Sequence, residues 1–130
     1  MQKTGILTAS FFMLTAVILG AFGAHGLKTS LSGSSLEVFK TAVFYQFIHS
    51  LGIFVVIILS KLYDLKKLKY SFWLFTLGII FFSGSLYFLA TKSVTGFGPW
   101  LFGPMTPIGG LFFVLGWVWM IVVFLQKKNL

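Results

Sequence analysis

Residues 41–60 read TAVFYQFIHSLGIFVVIILS, twenty consecutive positions without a charged side chain. A helix of roughly 20 apolar residues, rising about 1.5 Å per residue, crosses a hydrocarbon core of about 30 Å. Three other charge-free stretches are long enough to do the same, at Thr4–Leu27, Tyr70–Thr91 and Ser93–Gln126. The chain is therefore predicted to be an all-α membrane protein that crosses the bilayer four times.

The composition leads to the same class. Of the 130 residues, 58% are hydrophobic and 17 are phenylalanine, so a water-soluble fold would expose a large apolar surface. Nearly every position falls in a span or a short connection, which leaves no room for a soluble domain. We predict one domain over residues 1–130, with spans at about 4–24, 36–60, 70–91 and 106–125. The absence of cysteine excludes disulfides, thiolate metal sites and a thiol nucleophile.

The lysines predict the orientation. They sit at span ends and in connections, where they match lipid headgroups, so the expected partner is the lipid bilayer and not nucleic acid. Seven belong to the N-terminus, the second connection or the C-terminus: Lys3, Lys61, Lys66, Lys67, Lys69, Lys127 and Lys128. Only Lys28, Lys40 and Lys92 belong to the other two connections. The excess predicts an antiparallel bundle of four helices with both termini cytoplasmic, as a multi-pass protein of the cell (inner) membrane.

The first span has a second interpretation. Lys3, the apolar run and the small residues Ala21 and Gly23 would also suit a signal peptide cleaved after Gly23. The apolar stretch from Gly5 to Ala24 is longer than the usual signal-peptide core of about 7–15 residues. We therefore expect the first helix to be retained, although the charge distribution fits both cases.

Local signals predict the helix limits. The segment 20–26, GAFGAHG, is rich in glycine and predicts the end of the first helix. Ser34 followed by Glu37 matches a capping box, which predicts a second helix from near Ser35. Glycines and prolines crowd residues 96–107, so the fourth helix is expected from about Thr106.

Small residues predict where the helices pack. Helices in lipid associate where small side chains let the backbones approach closely. Candidates for these contacts are Ala16, Gly20, Ala24, Gly84, Gly109 and Gly110. We expect them to close the bundle on itself. The alternatives that spacing alone leaves open are an interface with a second copy (a homo-oligomer) or with a membrane-protein partner, and a sliding surface for a moving helix.

Polar residues at membrane depth are the strongest functional lead. Tyr45, Gln46 and His49 are separated by three and four positions, so they share one helix face. His49 lies about 13 Å from the boundary near Lys40, close to the midplane. One interpretation is a neutral histidine that holds helices together through Ser83, Ser85 or Tyr87. The other is a pathway for protons or a ligand.

The residue types give little support to a metal or cofactor site. His25 lies in the outer glycine-rich segment with Gly23 and Gly26, at a depth roughly 10 Å or more from that of His49. Such a pair does not suit axial haem ligation, and two histidines without further ligands do not suit zinc. Glu37 and Asp64 are predicted on opposite sides of the membrane, which removes paired acid–base catalysis. We expect no metal, no cofactor and no catalytic residue.

Four blocks of sequence resemble one family. They are 20–27 (GAFGAHGL), 39–51 (FKTAVFYQFIHSL), 82–87 (FSGSLY) and 106–110 (TPIGG). In this order they are similar to uncharacterised protein family 0382, also called domain of unknown function 423 and similar to the animal transmembrane protein 256. The resemblance implies a four-span inner-membrane protein with a retained first helix, and it implies no reaction or substrate. The connection Lys92–Met105 departs from the family in being longer and richer in Phe, Trp and Pro.

These observations favour a non-enzymatic role. Packing residues are abundant and chemically reactive groups are few, which suggests a protein that supports membrane integrity or the assembly of a membrane complex. The competing interpretation is a small transporter or proton-coupled carrier that uses the site around His49. A third is a subunit of a membrane redox or lipid-modifying enzyme.

Overall fold

The computed structural model describes residues 2–96 and 99–127. Four helices in that part of the chain are long and apolar enough to cross a membrane, which confirms the predicted fold class. They are α1 (Gln2–His25), α2 (Gly33–Leu62), α3 (Lys66–Ala90) and α4 (Met105–Leu125). Two single-turn helices, Lys92–Thr95 and Pro99–Phe102, lie in the connection between α3 and α4. Lys128 of the lysine count and Gly98 of the glycine-rich connection lie outside the described residues.

The start of α2 is fixed by Ser32. Its Oγ accepts a hydrogen bond from the backbone N–H of Ser35 at 3.2 Å, and the helix begins at Gly33. Glu37 instead forms an exposed ion pair with Lys40, at 2.7 Å. A capping box needs a glutamate or glutamine at the third helical position, and a helix that starts at Gly33 puts Ser35 there. The capping box predicted at Ser34 and Glu37 is therefore wrong.

The third span is not a uniform α-helix. It opens with a 3₁₀ turn at Lys66–Leu68, and a π-helical turn at Ile79–Ser83 interrupts it near the middle. In this turn the Gly84 N–H donates to the Ile79 carbonyl, five residues earlier. Turns of this kind are rare and mark local constraints on a helix. Here the turn contains Phe82, whose backbone lies directly against Gly109 of α4.

Glycines line the closest helix contacts. α1 packs on α2, α2 on α3 and α3 on α4. Gly109 of α4 lies directly against the backbone of Phe82, and Gly78 of α3 lies against the ring of Phe113. A Cβ added at Gly116 would lie 2.5 Å from the Phe75 ring. Without a hydrophobic drive between spans, such close approach supplies much of the packing energy in lipid.

Two residues expected to pack do not. Ala24 is exposed, and a Cβ added at Gly84 would meet nothing within 4 Å. Gly23 is buried instead and lies against Phe39. A strict spacing of four drifts by about 40° per step around a helix with 3.6 residues per turn, so Ala24 rotates away from α2. The buried positions of α1 are Gly5, Ala9, Ala16 and Gly23, while Gly20 faces Val43 from a half-buried position.

Both ends of the described chain lie at the end of the bundle that carries the α2–α3 connection. Lys127 Nζ donates to the Tyr63 carbonyl at 2.8 Å, and Lys67 Nζ donates to Gln126 Oε1 at 3.2 Å. Gly5, near the start of α1, lies against Ile57, near the end of α2. The four long helices therefore run antiparallel to their neighbours.

Reporter fusions test which side of the membrane this end faces. The excess of lysines predicts that fusions within 62–69 and after Leu130 report the cytoplasm, whereas a fusion within 28–35 reports the outside. An alkaline phosphatase and green fluorescent protein pair gives opposite signals on the two sides and so controls for expression. An extracytoplasmic C-terminus would contradict the orientation.

Candidate functional site

Gln46 joins three helices. Its side-chain Nε2 donates to the Phe12 carbonyl at 2.8 Å and to Thr15 Oγ1 at 2.7 Å, both on α1. Its Oε1 accepts from the Tyr87 hydroxyl of α3 at 2.8 Å. The side chain is only 4% exposed. An amide has two N–H donors, and here both are used within the bundle.

Thr15 is a member of this cluster that the sequence did not reveal. It is next to Ala16, which is buried against α2, and its hydroxyl also contacts the carbonyls of Phe11 and Phe12. Threonines in membrane helices commonly satisfy their hydroxyl on their own backbone. The only signal in the sequence was its place beside the stripe of small residues.

His49 is held at both ring nitrogens. Its Nδ1 lies 2.8 Å from the Tyr45 carbonyl, and the Trp117 indole Nε1 lies 3.2 Å from its Nε2. A carbonyl can only accept and an indole N–H can only donate. The two contacts therefore assign the proton to Nδ1 and leave Nε2 as an acceptor, which is the neutral imidazole.

Aromatic rings surround this imidazole. It stacks on Phe113 with ring centroids 3.5 Å apart and meets Phe75 edge-on at 5.5 Å. The side chain is 5% exposed. The partners expected for His49 were Ser83, Ser85 or Tyr87, and this expectation is wrong. Trp117 takes that role instead, because its side chain reaches from α4 to His49 on α2.

The six residues of the predicted polar site do not form one site. Gln46 and Tyr87 belong to the cluster with Thr15, and His49 belongs with Trp117. Ser85 Oγ forms a third, separate contact at 2.7 Å with Thr106 Oγ1 of α4. Ser83 Oγ is buried and has no hydrogen-bond partner among the described residues. Within the described residues, none of these three hydroxyls forms a hydrogen bond with His49.

Tyr45 borders an apolar cleft between α2 and α4. The cleft has a volume of about 580 Å³ and is lined mainly by aromatic and aliphatic side chains, among them Phe44, Ile48, Phe82 and Val114. Tyr45 is 37% exposed, and its ring packs on Phe82 at 4.6 Å. His49 and Trp117 form part of the wall. The cleft offers apolar surface and one phenol, with no charged side chain in its lining.

The glycine-rich segment 20–26 contains the end of α1. His25 is exposed at the last helical position, Gly23 packs on Phe39, and Gly26 follows the helix beside the ring of Phe22. Within residues 2–96 and 99–127, no three His, Asp or Glu side chains come together where a metal ion could bind.

Comparison with known proteins identifies the family. A family model described as a protein of unknown function (DUF423) matches residues 19–110. A UPF0382 membrane protein of Staphylococcus epidermidis is 38% identical over 125 residues, which cover 96% of this chain and 98% of the relative. The chain belongs to this family. The resemblance predicted from the four sequence blocks is confirmed, and so is the assignment to membrane proteins.

Other relatives carry the same family name. YwdK of Bacillus subtilis, a UPF0382 membrane protein, is 39% identical over 122 residues, which cover 93% of this chain and 95% of the relative. A UPF0382 membrane protein of Haemophilus influenzae is 40% identical over 116 residues, covering 88% of this chain and 87% of the relative. No solved structure matches the chain significantly. The region matched by the family model contains Gln46, His49 and Tyr87, while Thr15 and Trp117 lie outside it.

Proposed function

We propose that this chain is a non-enzymatic protein of the cell membrane that supports membrane integrity or the assembly of a membrane complex. One observation carries the proposal: the polar groups of Gln46 and His49, the best functional lead, are used in contacts between helices. Buried groups with all donors and acceptors paired rigidify a bundle and specify one arrangement of its helices. In these contacts no N–H group of either side chain is left free to bind a substrate.

Proton transport would require His49 to change its contacts. A second proton would go to Nε2, which already faces the N–H of Trp117 at 3.2 Å. Two N–H groups cannot share that position, so the indole would have to move away. The stacked ring of Phe113 at 3.5 Å also restricts the imidazole. These contacts favour a structural role for His49 over a carrier role.

The remaining ionisable groups support the same proposal. Glu37 pairs with Lys40 on the exposed start of α2, and Asp64 lies beyond the other end of that helix. Two carboxyl groups at opposite ends of the bundle cannot act together as general acid and base. An assembly role would need a surface for a membrane-protein partner or a second copy. Of the four long helices, α1 has the smallest buried share, and it exposes Leu7, Phe11 and Leu14.

Complementation of a deletion strain with His49→Leu tests the proposal. We expect the wild-type gene to restore resistance to detergent and osmotic stress, and its product to purify together with a partner complex. We expect His49→Leu to retain this activity in proportion to the folded protein present, with a loss of stability of about 1–2 kcal/mol or less, because hydrogen bonds between membrane helices are modest.

His49→Gln serves as the matched control, since its amide can still accept from Trp117. Both variants are compared at equal expression and with their melting temperatures measured in the same detergent. A well-folded His49→Leu protein that loses all activity, while His49→Gln keeps it, would favour the carrier.

A further inference from the structure

A basic cleft opens at the end of the bundle that holds both chain ends. It lies between the α2–α3 connection and the end of α4, with a volume of about 520 Å³. Lys66, Lys67 and Lys127 line it together with one carboxylate, that of Asp64. Three ammonium groups against one carboxylate leave an excess of two positive charges. The cleft is therefore suited to an anion.

The positive charges of the cleft are not neutralised within the described residues. There, no salt bridge within 4.0 Å joins any of these lysines to a carboxylate. Lys67 donates to the side-chain oxygen of Gln126, and Lys127 donates to the Tyr63 carbonyl and lies 4.8 Å from the centroid of the Tyr63 ring. Each ammonium has three N–H donors, so both keep donors for a ligand. Lys66 is exposed and forms no side-chain hydrogen bond within that range.

The backbone that carries these lysines is held in place. The Trp119 indole donates to the Lys67 carbonyl at 3.0 Å, and the neighbouring Leu68 is completely buried in the core. Trp119 also packs edge-on against Tyr70 at 5.5 Å. Tryptophan and tyrosine with one polar end favour the level of the lipid headgroups. The cleft is thus preformed and lies at that level.

One wall of the cleft is apolar. Leu65 and Val123 line it beside the lysines, and Leu62 and Leu125 are exposed on the adjoining helix ends. A soluble anion would use only the charged wall, whereas a lipid could place its phosphate on the lysines and its glycerol and acyl chains along the apolar one. We propose that this cleft binds the phosphate group of an anionic phospholipid. Basic pockets between membrane helices on the cytoplasmic side are known to bind such headgroups.

Lipid titration of the purified full-length chain tests this site. The probes are phosphatidylglycerol, cardiolipin, phosphatidylcholine and inorganic phosphate, each added to protein in a neutral detergent. Bound lipid is read by native mass spectrometry and by the shift in melting temperature. We expect the two anionic lipids to bind and stabilise, and phosphatidylcholine and phosphate to have little effect.

Paired substitutions locate the binding. Lys66→Gln with Lys127→Gln should weaken binding of the anionic lipids by about 25-fold, since each lysine near a membrane surface contributes about fivefold. Lys28→Gln with Lys92→Gln removes the same charge at the opposite end and should change binding by less than about twofold. Lys66→Gln alone, which removes no hydrogen bond or ion pair among the described residues, should cost about fivefold, and Lys66→Arg should restore most of it.

Three results would overturn the site. The first is equal weakening by the two double variants, which would show that only total charge matters. The second is binding of phosphatidylcholine as tight as that of the anionic lipids. The third is binding of inorganic phosphate to the cleft as tight as that of the anionic lipids, which would assign the cleft to a soluble anion. None of these results depends on whether the proposed cellular role is correct.

Discussion

Gly109→Ala should destabilise the bundle by about 3 kcal/mol, at the upper end of the range for overpacked cores. A Cβ at this position would lie 2.7 Å from the Cα of Phe82 and still closer to its backbone nitrogen. A backbone cannot rotate out of the way as a side chain can, so α3 and α4 would have to separate. That separation would loosen every contact along the pair, including the hydrogen bond between Ser85 and Thr106. The measurement is the free energy of unfolding of the purified protein in mixed micelles.

Gly84→Ala is the matched control. It makes the same chemical change in a helix of the same protein, but nothing lies within 4 Å of the added Cβ. Alanine also has the higher helix propensity, so this variant should be neutral or more stable by up to about 1 kcal/mol. Equal losses at both positions would mean that Gly109 does not mark a close approach of backbones.

The number and class of the helices followed from the sequence because they depend on local composition. A charge-free stretch long enough to span a bilayer can be recognised in the sequence without knowledge of the tertiary packing. The structure has four long apolar helices, as the four stretches predicted. The helix start at Ser32 was missed because several serines in 30–35 can accept a hydrogen bond from the next turn. Only the backbone path selects among them. The π-helical turn at Ile79–Ser83 was missed for a related reason, since it depends on how α3 meets α4.

The candidate site was only partly predictable for a similar physical reason. Helical periodicity placed Gln46 and His49 on one face, and both are buried. Their partners depend on the rotation and depth of other helices, which no local pattern encodes. Thr15 and Trp117 are 31 and 68 residues away from the groups they bind. Hydrogen bonds over such separations become visible only once the helices are packed.

Gln46→Glu should destabilise the protein by about 2–3 kcal/mol. The change keeps the shape of the side chain and replaces its N–H donors with oxygen. That oxygen would then face the Phe12 carbonyl, now 2.8 Å from Nε2, which can only accept. Gln46 lies near the middle of α2, roughly 20 Å from the start of the helix, where an ionised carboxylate is costly. The change would also remove both Nε2 hydrogen bonds to α1, which would leave the packing of buried small residues such as Ala9 and Ala16 to hold that helix.

Gln126→Glu is the control for this exchange. Gln126 is exposed at the end of α4, and its oxygen already accepts from Lys67, so a carboxylate there should be neutral or stabilise by about 0.5 kcal/mol. Both variants are unfolded under the same conditions, with cross-linking between α1 and α2 as a second readout. We expect only Gln46→Glu to reduce the yield of that cross-link, because the amide of Gln46 forms the hydrogen bonds that join α2 to α1. If both variants unfold like the wild type, the donor role of Gln46 is wrong, and α1 must be held to α2 by its small-residue contacts alone.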